Sequence, residues 1–105
     1  MTVVFHPDFA KDIRKFELVY AQISQGLAAR FRSEVDLAMA AVKYSPNSAG
    51  HFLALKSSIA IQLRRRNLKA FPHFILYGIV EDTLIFASLI PSRSDPLTWL
   101  TRFGG

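Results

Sequence analysis

The sequence predicts an α+β domain made of an N-terminal strand, a two-helix antiparallel hairpin, an antiparallel β-meander and a short C-terminal segment. Apolar residues recur every three or four positions between residues 9 and 42, as on one face of a helix. Two strand-length apolar runs, His73–Val80 and Thr83–Ile90, then flank a polar pair that is typical of a hairpin turn. The length of 105 residues fits a single domain over residues 1–105.

Composition narrows the class of protein. Half of the residues are hydrophobic and a fifth are charged, which is typical of a globular domain. The chain has no cysteine, which excludes a disulfide framework and a cysteine-based metal site, and we expect no cofactor. Charges recur every few positions in residues 1–20, so we expect neither a signal peptide nor a membrane span, and a cytoplasmic protein. The net charge of +5 indicates an acidic partner, either nucleic acid or a protein segment, or else an ordinary surplus of Lys and Arg.

The first half of the chain predicts one strand and two helices. The β-prone run Thr2–His6 ends at a proline, and Pro7-Asp8 opens a helix. Its apolar face, which we interpret as core, consists of Phe9, Ile13, Phe16, Tyr20 and Ile23. Ser24 is a predicted cap for a second helix from about Gln25 to Tyr44. The core positions of that helix are Leu27, Phe31, Val35, Ala38 and Val42.

The middle of the chain predicts a loop, an irregular connection and a basic strand. Residues 45–50 have the composition of a loop. The segment His51–Leu63 is apolar without a clear periodicity, and we interpret it as an irregular connection with a short strand near Ile59–Leu63. In the predicted strand Arg64–Phe71, alternation places Arg65, Asn67 and Lys69 on the face opposite Leu68.

Both faces of the predicted hairpin are apolar. A two-residue turn makes Val80 face Thr83, which places Ile75, Tyr77, Ile79, Leu84, Phe86, Ser88 and Ile90 on one face. The other face carries Phe74, Leu76, Gly78 and Val80 among others. Because an antiparallel sheet that faces water normally keeps one face polar, the helices must cover one face. The chain's own C-terminus or a partner must cover the second. We expect the C-terminal segment, with Trp99 and Arg102, either to fold back or to stay mobile.

No strong enzyme motif is present, and no residue is predicted to be catalytic. The sequence has no glycine-rich phosphate loop, no His-x-x-x-His pair and no Gly-x-Ser-x-Gly elbow. The three histidines are far apart, and we interpret each as structural. What remains is a basic set of Arg64, Arg65, Arg66, Lys69, Arg93 and Arg102. Clustered arginines bind phosphates, but they also protect strand edges from aggregation, and composition leaves the two interpretations open.

Three strings in this order carry a family resemblance. They are Phe5-His6-Pro7-Asp8, then Arg65-Arg66-Asn67-Leu68-Lys69-Ala70-Phe71-Pro72-His73-Phe74-Ile75-Leu76-Tyr77, and Arg93-Ser94-Asp95-Pro96. Together with the helical hairpin, they resemble the RelE/ParE toxin superfamily of bacterial type II toxin–antitoxin systems, and the ParE or plasmid-stabilisation branch most. The resemblance implies neutralisation by an acidic, ParD-like antitoxin in a hetero-oligomer. It also implies one of two activities: cleavage of mRNA on the ribosome, as in RelE-like members, or poisoning of DNA gyrase, as in ParE-like members.

Departures from the family favour gyrase as the target. Phe74 replaces an arginine that RNA-cleaving members tend to carry, and Pro91 replaces a histidine, whereas Arg93 matches. The expectation is therefore a gyrase poison rather than an enzyme, with a ribosome-dependent endoribonuclease or a weakly toxic antitoxin-binding module as alternatives. The residues predicted to bind the target are Arg65, Arg66, Lys69, Arg93, Trp99 and Arg102. The residues predicted to bind the antitoxin are Phe74, Leu76, Val80, Arg65, Lys69 and Arg93. We expect Phe74, Leu76 and Val80 to lie on an exposed apolar face that points away from the helices and that the antitoxin covers.

Overall fold

A computed structural model describes residues 1–52, 62–95 and 102, and it confirms the predicted α+β fold class. The elements are β1 (Thr2–Phe5), α1 (Phe9–Ala21), α2 (Gln25–Tyr44), β2 (His51–Phe52), β3 (Gln62–Asn67), β4 (His73–Val80) and β5 (Thr83–Pro91). The strands form one sheet in the order β1-β5-β4-β3-β2. The meander is antiparallel as predicted, whereas β1 runs parallel to β5, so that the sheet as a whole is mixed.

Helix α2 has the predicted boundaries, whereas α1 ends at Ala21, before the predicted Ile23. Ser24 caps α2, because its Oγ accepts a hydrogen bond of 3.0 Å from the Leu27 backbone N–H. Four of the five core positions predicted for α2 are buried, and Leu27 is partly buried against the same core. On α1 the predicted stripe is buried or partly buried from Phe9 to Tyr20, but Ile23 lies beyond the helix end and is 71% exposed. None of the described helices is long and apolar enough to cross a membrane.

The β4–β5 hairpin has the predicted two-residue turn, with Val80 opposite Thr83. A β-bulge then interrupts the ladder, since Leu76 pairs with Ser88 but Tyr77 pairs with Phe86, which leaves one extra residue in β5. The bulge reverses the side-chain alternation beyond it. The predicted placement of Ile90 on the face with Phe86 is therefore wrong, because Ile90 joins the opposite cluster.

Each face of the sheet carries a hydrophobic cluster. The helix-facing core contains the predicted Ile75, Tyr77, Ile79, Leu84 and Phe86. The second cluster, on the opposite face, contains Leu63, Phe74, Leu76, Ala87 and Ile90, with Ile85 packed against it. We expected Phe74 and Leu76 to lie on a solvent-exposed face. That expectation is wrong, because both side chains are completely buried within the chain itself.

Most of the predicted connection between α2 and the basic strand lies outside the described residues. The basic strand itself is shorter than predicted, because β3 ends at Asn67 and residues 69–72 form the turn into β4. Arg65 and Asn67 do lie on the face opposite Leu68, as alternation predicts. Lys69 belongs to the turn rather than to the strand.

Candidate interaction surface around the basic strand

Arg65 packs against the second cluster. Its guanidinium carbon lies 3.8 Å from the ring centre of Phe74, within the range of a cation–π contact. Its Nε and Nη2 both donate to Asn67 Oδ1, at 3.1 and 2.9 Å. The side chain is thereby oriented before any partner arrives. A planar guanidinium fixed in this way is suited to a carboxylate or a phosphate.

Arg64 and Arg66 lie on the other face of β3, where they hold the loop that follows α2. Arg64 Nη1 donates to the Gly50 carbonyl at 3.2 Å, and Arg66 Nη1 donates to the Ala49 carbonyl at 2.6 Å. The Tyr77 hydroxyl donates to a third carbonyl of the same loop, that of Pro46, at 3.1 Å. Burial raises the pKa of Tyr77, and the two neighbouring guanidiniums partly offset that rise. The structure thus places Arg66, predicted to bind the target, in an internal contact.

Lys69 lies at the surface, on a turn that is fastened to α2. The backbone N–H groups of Lys69 and Ala70 both donate to Glu34 Oε1, at 2.9 and 3.0 Å. Glu34 was not among the predicted site residues. Nothing in the sequence marks it, since its partner lies 35 positions further along the chain.

Arg93 lies in the turn that follows β5 and is exposed. Hydrogen bonds from Ser92 N–H to the Pro72 carbonyl and from Ser94 N–H to the Pro91 carbonyl, both 2.9 Å, hold the turn on either side of it. Within the described residues, the Arg93 side chain has no hydrogen-bond or ion-pair partner. A cation presented in this way is available to a partner. Trp99, also predicted to bind the target, lies outside the described residues.

Arg102 is an internal residue, although it too was predicted to bind the target. Its Nη1 contacts Asp12 Oδ2 at 2.6 Å, the Ala87 carbonyl at 3.0 Å and Ser88 Oγ at 3.2 Å. Asp12 also accepts from Ser88 Oγ–H at 2.9 Å and from the Leu89 backbone N–H at 3.3 Å. The bulge in β5 exposes these backbone groups to side chains. Asp12 on α1 is therefore the centre of a polar cluster that joins α1, β5 and Arg102.

The predicted antitoxin-binding residues differ in accessibility. Val80 is half-buried, whereas a partner would reach Phe74 and Leu76 only if the cover on the second cluster moved. Their role in antitoxin binding stays a prediction. Across the described residues, no group of three His, Asp or Glu side chains is placed to hold a metal ion.

His73 is buried among aromatic rings at the start of β4. The rings of Phe16, Tyr20 and Phe31 lie 4.4, 6.0 and 5.5 Å from its ring centre. Its Nδ1 is buried and has no hydrogen-bond partner. Burial lowers the pKa of His73, because a charged imidazolium is poorly solvated there. This environment fits the structural interpretation of the residue.

Comparison with known proteins identifies the fold. No protein-family model and no curated protein matches this sequence. The structure is similar to a solved chain described as "Chromosomal ParDE TA system from P. aeruginosa", with a TM-score of 0.67 and 12% sequence identity. The match covers 87% of this chain and 95% of that chain. At so low an identity, the likeness establishes the shared fold and agrees with the resemblance found in the sequence.

Proposed function

We propose that this chain is the toxin of a type II toxin–antitoxin pair, and that it is a ParE-like protein that acts on DNA gyrase. The observation that carries the proposal is the fold shared with a chain of a ParDE system over 87% of the present chain. The motifs at residues 65–77 and 93–96 support the same assignment. The partner is then an acidic, ParD-like antitoxin, for which a net charge of +5 is complementary.

Two positions favour gyrase over mRNA as the target. Phe74 stands where RNA-cleaving relatives tend to carry an arginine, and its side chain is completely buried. Pro91 stands where many of them carry a histidine. Neither side chain can stabilise a phosphate charge or transfer a proton, which are the two tasks of an RNA-cleaving site. Arg93, which matches the family, is exposed and suited to binding.

Induced expression in bacteria tests the proposal. We expect DNA replication to stop and the DNA-damage response to be induced, and we expect Arg93→Ala to abolish both effects. Arg30→Ala is the matched control, because Arg30 is an exposed arginine on α2 at which we expect full toxicity. Both variants should remain folded, since exposed substitutions usually change the free energy of unfolding by less than about 0.5 kcal/mol.

Other outcomes would change the assignment. Rapid loss of translation, with mRNA cleaved within codons and no damage response, would identify a RelE-like ribosome-dependent endoribonuclease. Absence of toxicity with retained antitoxin binding would identify a weakly toxic binding module. Full toxicity of Arg93→Ala would remove Arg93 from the target-binding surface.

A further inference from the structure

A groove of about 200 Å³ lies between α2 and the end of β3. The helix supplies Glu34, Leu37 and Ala38, and the strand with its following turn supplies Arg66, Asn67, Leu68 and Lys69. Small-molecule sites usually measure roughly 300–1,000 Å³. The groove is smaller than that, and its size suits one or two side chains of a polypeptide.

The groove has an apolar floor and one prominent apolar wall. Ala38 and Leu68 are 6% and 7% exposed and form part of the floor, whereas Leu37 is 68% exposed. A single exposed leucine is ordinary on a protein surface. Leu37 differs because it borders a concave site that is already apolar at its base, so that an inserted aliphatic side chain would bury it.

The charges of the groove are unbalanced toward the positive. Glu34 is its one acidic residue, and the carboxylate is already engaged by the N–H groups of Lys69 and Ala70. No carboxylate among the described residues forms an ion pair with Arg66 or Lys69. Arg66 Nη1 is bonded to a neutral carbonyl, and its Nε is buried without a hydrogen-bond partner. The Nε atom is out of reach of an occupant, but the positive charges of Arg66 and Lys69, which no described carboxylate pairs with, favour an acidic one.

We propose that the groove receives an acidic segment of the antitoxin, with an aliphatic side chain inserted against Leu37 and carboxylates facing Arg66 and Lys69. This inference rests on the proposed function and adds a location to it. The site is separate from Phe74 and Leu76, because those residues belong to the second cluster. The apolar contact supplies most of the affinity, and the charges steer association and set the register.

Because the chain has no cysteine, single cysteines report directly on this site. The paired variants are Leu37→Cys and Ile23→Cys, at positions 68% and 71% exposed. The probe is the purified antitoxin, defined as the protein whose co-expression restores growth to cells that express this chain. We expect the antitoxin to slow thiol modification of Leu37→Cys at least about tenfold and to leave Ile23→Cys unchanged, since a buried interface centre excludes water and reagent.

Calorimetric titration with the same antitoxin measures the energetics. We expect Leu37→Glu to weaken binding about a hundredfold and Lys69→Ala about tenfold, as is typical of a central anchor and a charge at the rim. Ile23→Glu and Arg30→Ala are controls for which we expect wild-type affinity.

Other outcomes would contradict the proposal. If an antitoxin binds wild type but neither protects Leu37→Cys nor binds the variants with different affinities, the groove is not its binding site and the toxin assignment stands. If no protein restores growth or binds, both the assignment and the groove are wrong. Protection of Leu37→Cys by single-stranded DNA instead, or by raised concentration of the chain alone, would assign the groove to nucleic acid or to a second copy and overturn the proposal.

Discussion

Replacing Gly50 by alanine should destabilise the protein strongly, although it adds only one methyl group. A Cβ atom at this position would lie 2.5 Å from Tyr77 Oη and 2.7 Å from the Arg65 carbonyl oxygen. The carbonyl belongs to β3, and the hydroxyl is tied to Pro46, so neither is free to withdraw. Overpacking of this kind costs about 1–3 kcal/mol, and displacing the Tyr77 hydroxyl forfeits a hydrogen bond worth about 1 kcal/mol.

The same substitution at Gly26 provides the control. Nothing lies within 4 Å of a Cβ atom built there, and Gly26 is in the first turn of α2. Alanine in a helix is better than glycine by about 0.5–1 kcal/mol, so Gly26→Ala should raise the free energy of unfolding. Thermal melting measures both variants. A loss of about 2–4 kcal/mol lowers the Tm of a domain this size by at least about 8 °C. If Gly50→Ala melts within about 2 °C of wild type, the close approach of the loop to Tyr77 is wrong.

Three further substitutions test other parts of the fold. Burial lowers the pKa of His73, so the unfolded chain binds the proton more tightly than the folded one. The free energy of unfolding should therefore be highest above about pH 6.5 and decrease as the pH falls below it. Urea titrations at pH 7.5 and 5 should show a smaller decrease for His73→Phe than for wild type. Asp12→Asn should reduce the free energy of unfolding by about 2 kcal/mol, because the largely buried Arg102 then loses its counter-ion. Asp8→Asn should cost less than about 0.5 kcal/mol, because the Asp8 carboxylate is exposed and its contacts with Lys11 and His6 are longer. Ser24→Ala should cost about 1 kcal/mol in the same measurement, and an unchanged midpoint would mean that the cap is unimportant.

Local patterns in the sequence predicted the helices and the hairpin turn well. The boundaries of α2 follow from a capping serine and a four-residue apolar spacing, both of which act within one or two turns of helix. The turn after Val80 follows from two flanking runs of strand length. These features depend on residues that are neighbours in the chain, so their physical causes are visible in the sequence.

Features set by distant residues were missed. The bulge beside Leu76 has no sequence signature, because alanine and serine fit a regular strand equally well. Without the bulge, the predicted alternation placed Ile90 on the wrong face of the sheet. Neither Asp12 nor Glu34 was among the predicted site residues. Their partners lie in β5 and in the turn after β3, and only the tertiary fold brings them together. The predicted exposure of Phe74 failed because the chain itself buries both faces of the sheet.

The parallel pairing of β1 with β5 joins two segments that are synthesised at very different times. The first strand leaves the ribosome long before its neighbour exists, since the register joins Phe5 to Phe86, roughly eighty residues later. At translation rates of about 5–20 residues per second, β5 is synthesised about 4–16 seconds after β1. During this interval β1 has no neighbouring strand to pair with. The complete sheet can therefore form only after Thr83–Pro91 has left the ribosome, so most of the chain is synthesised before its first strand has a neighbour.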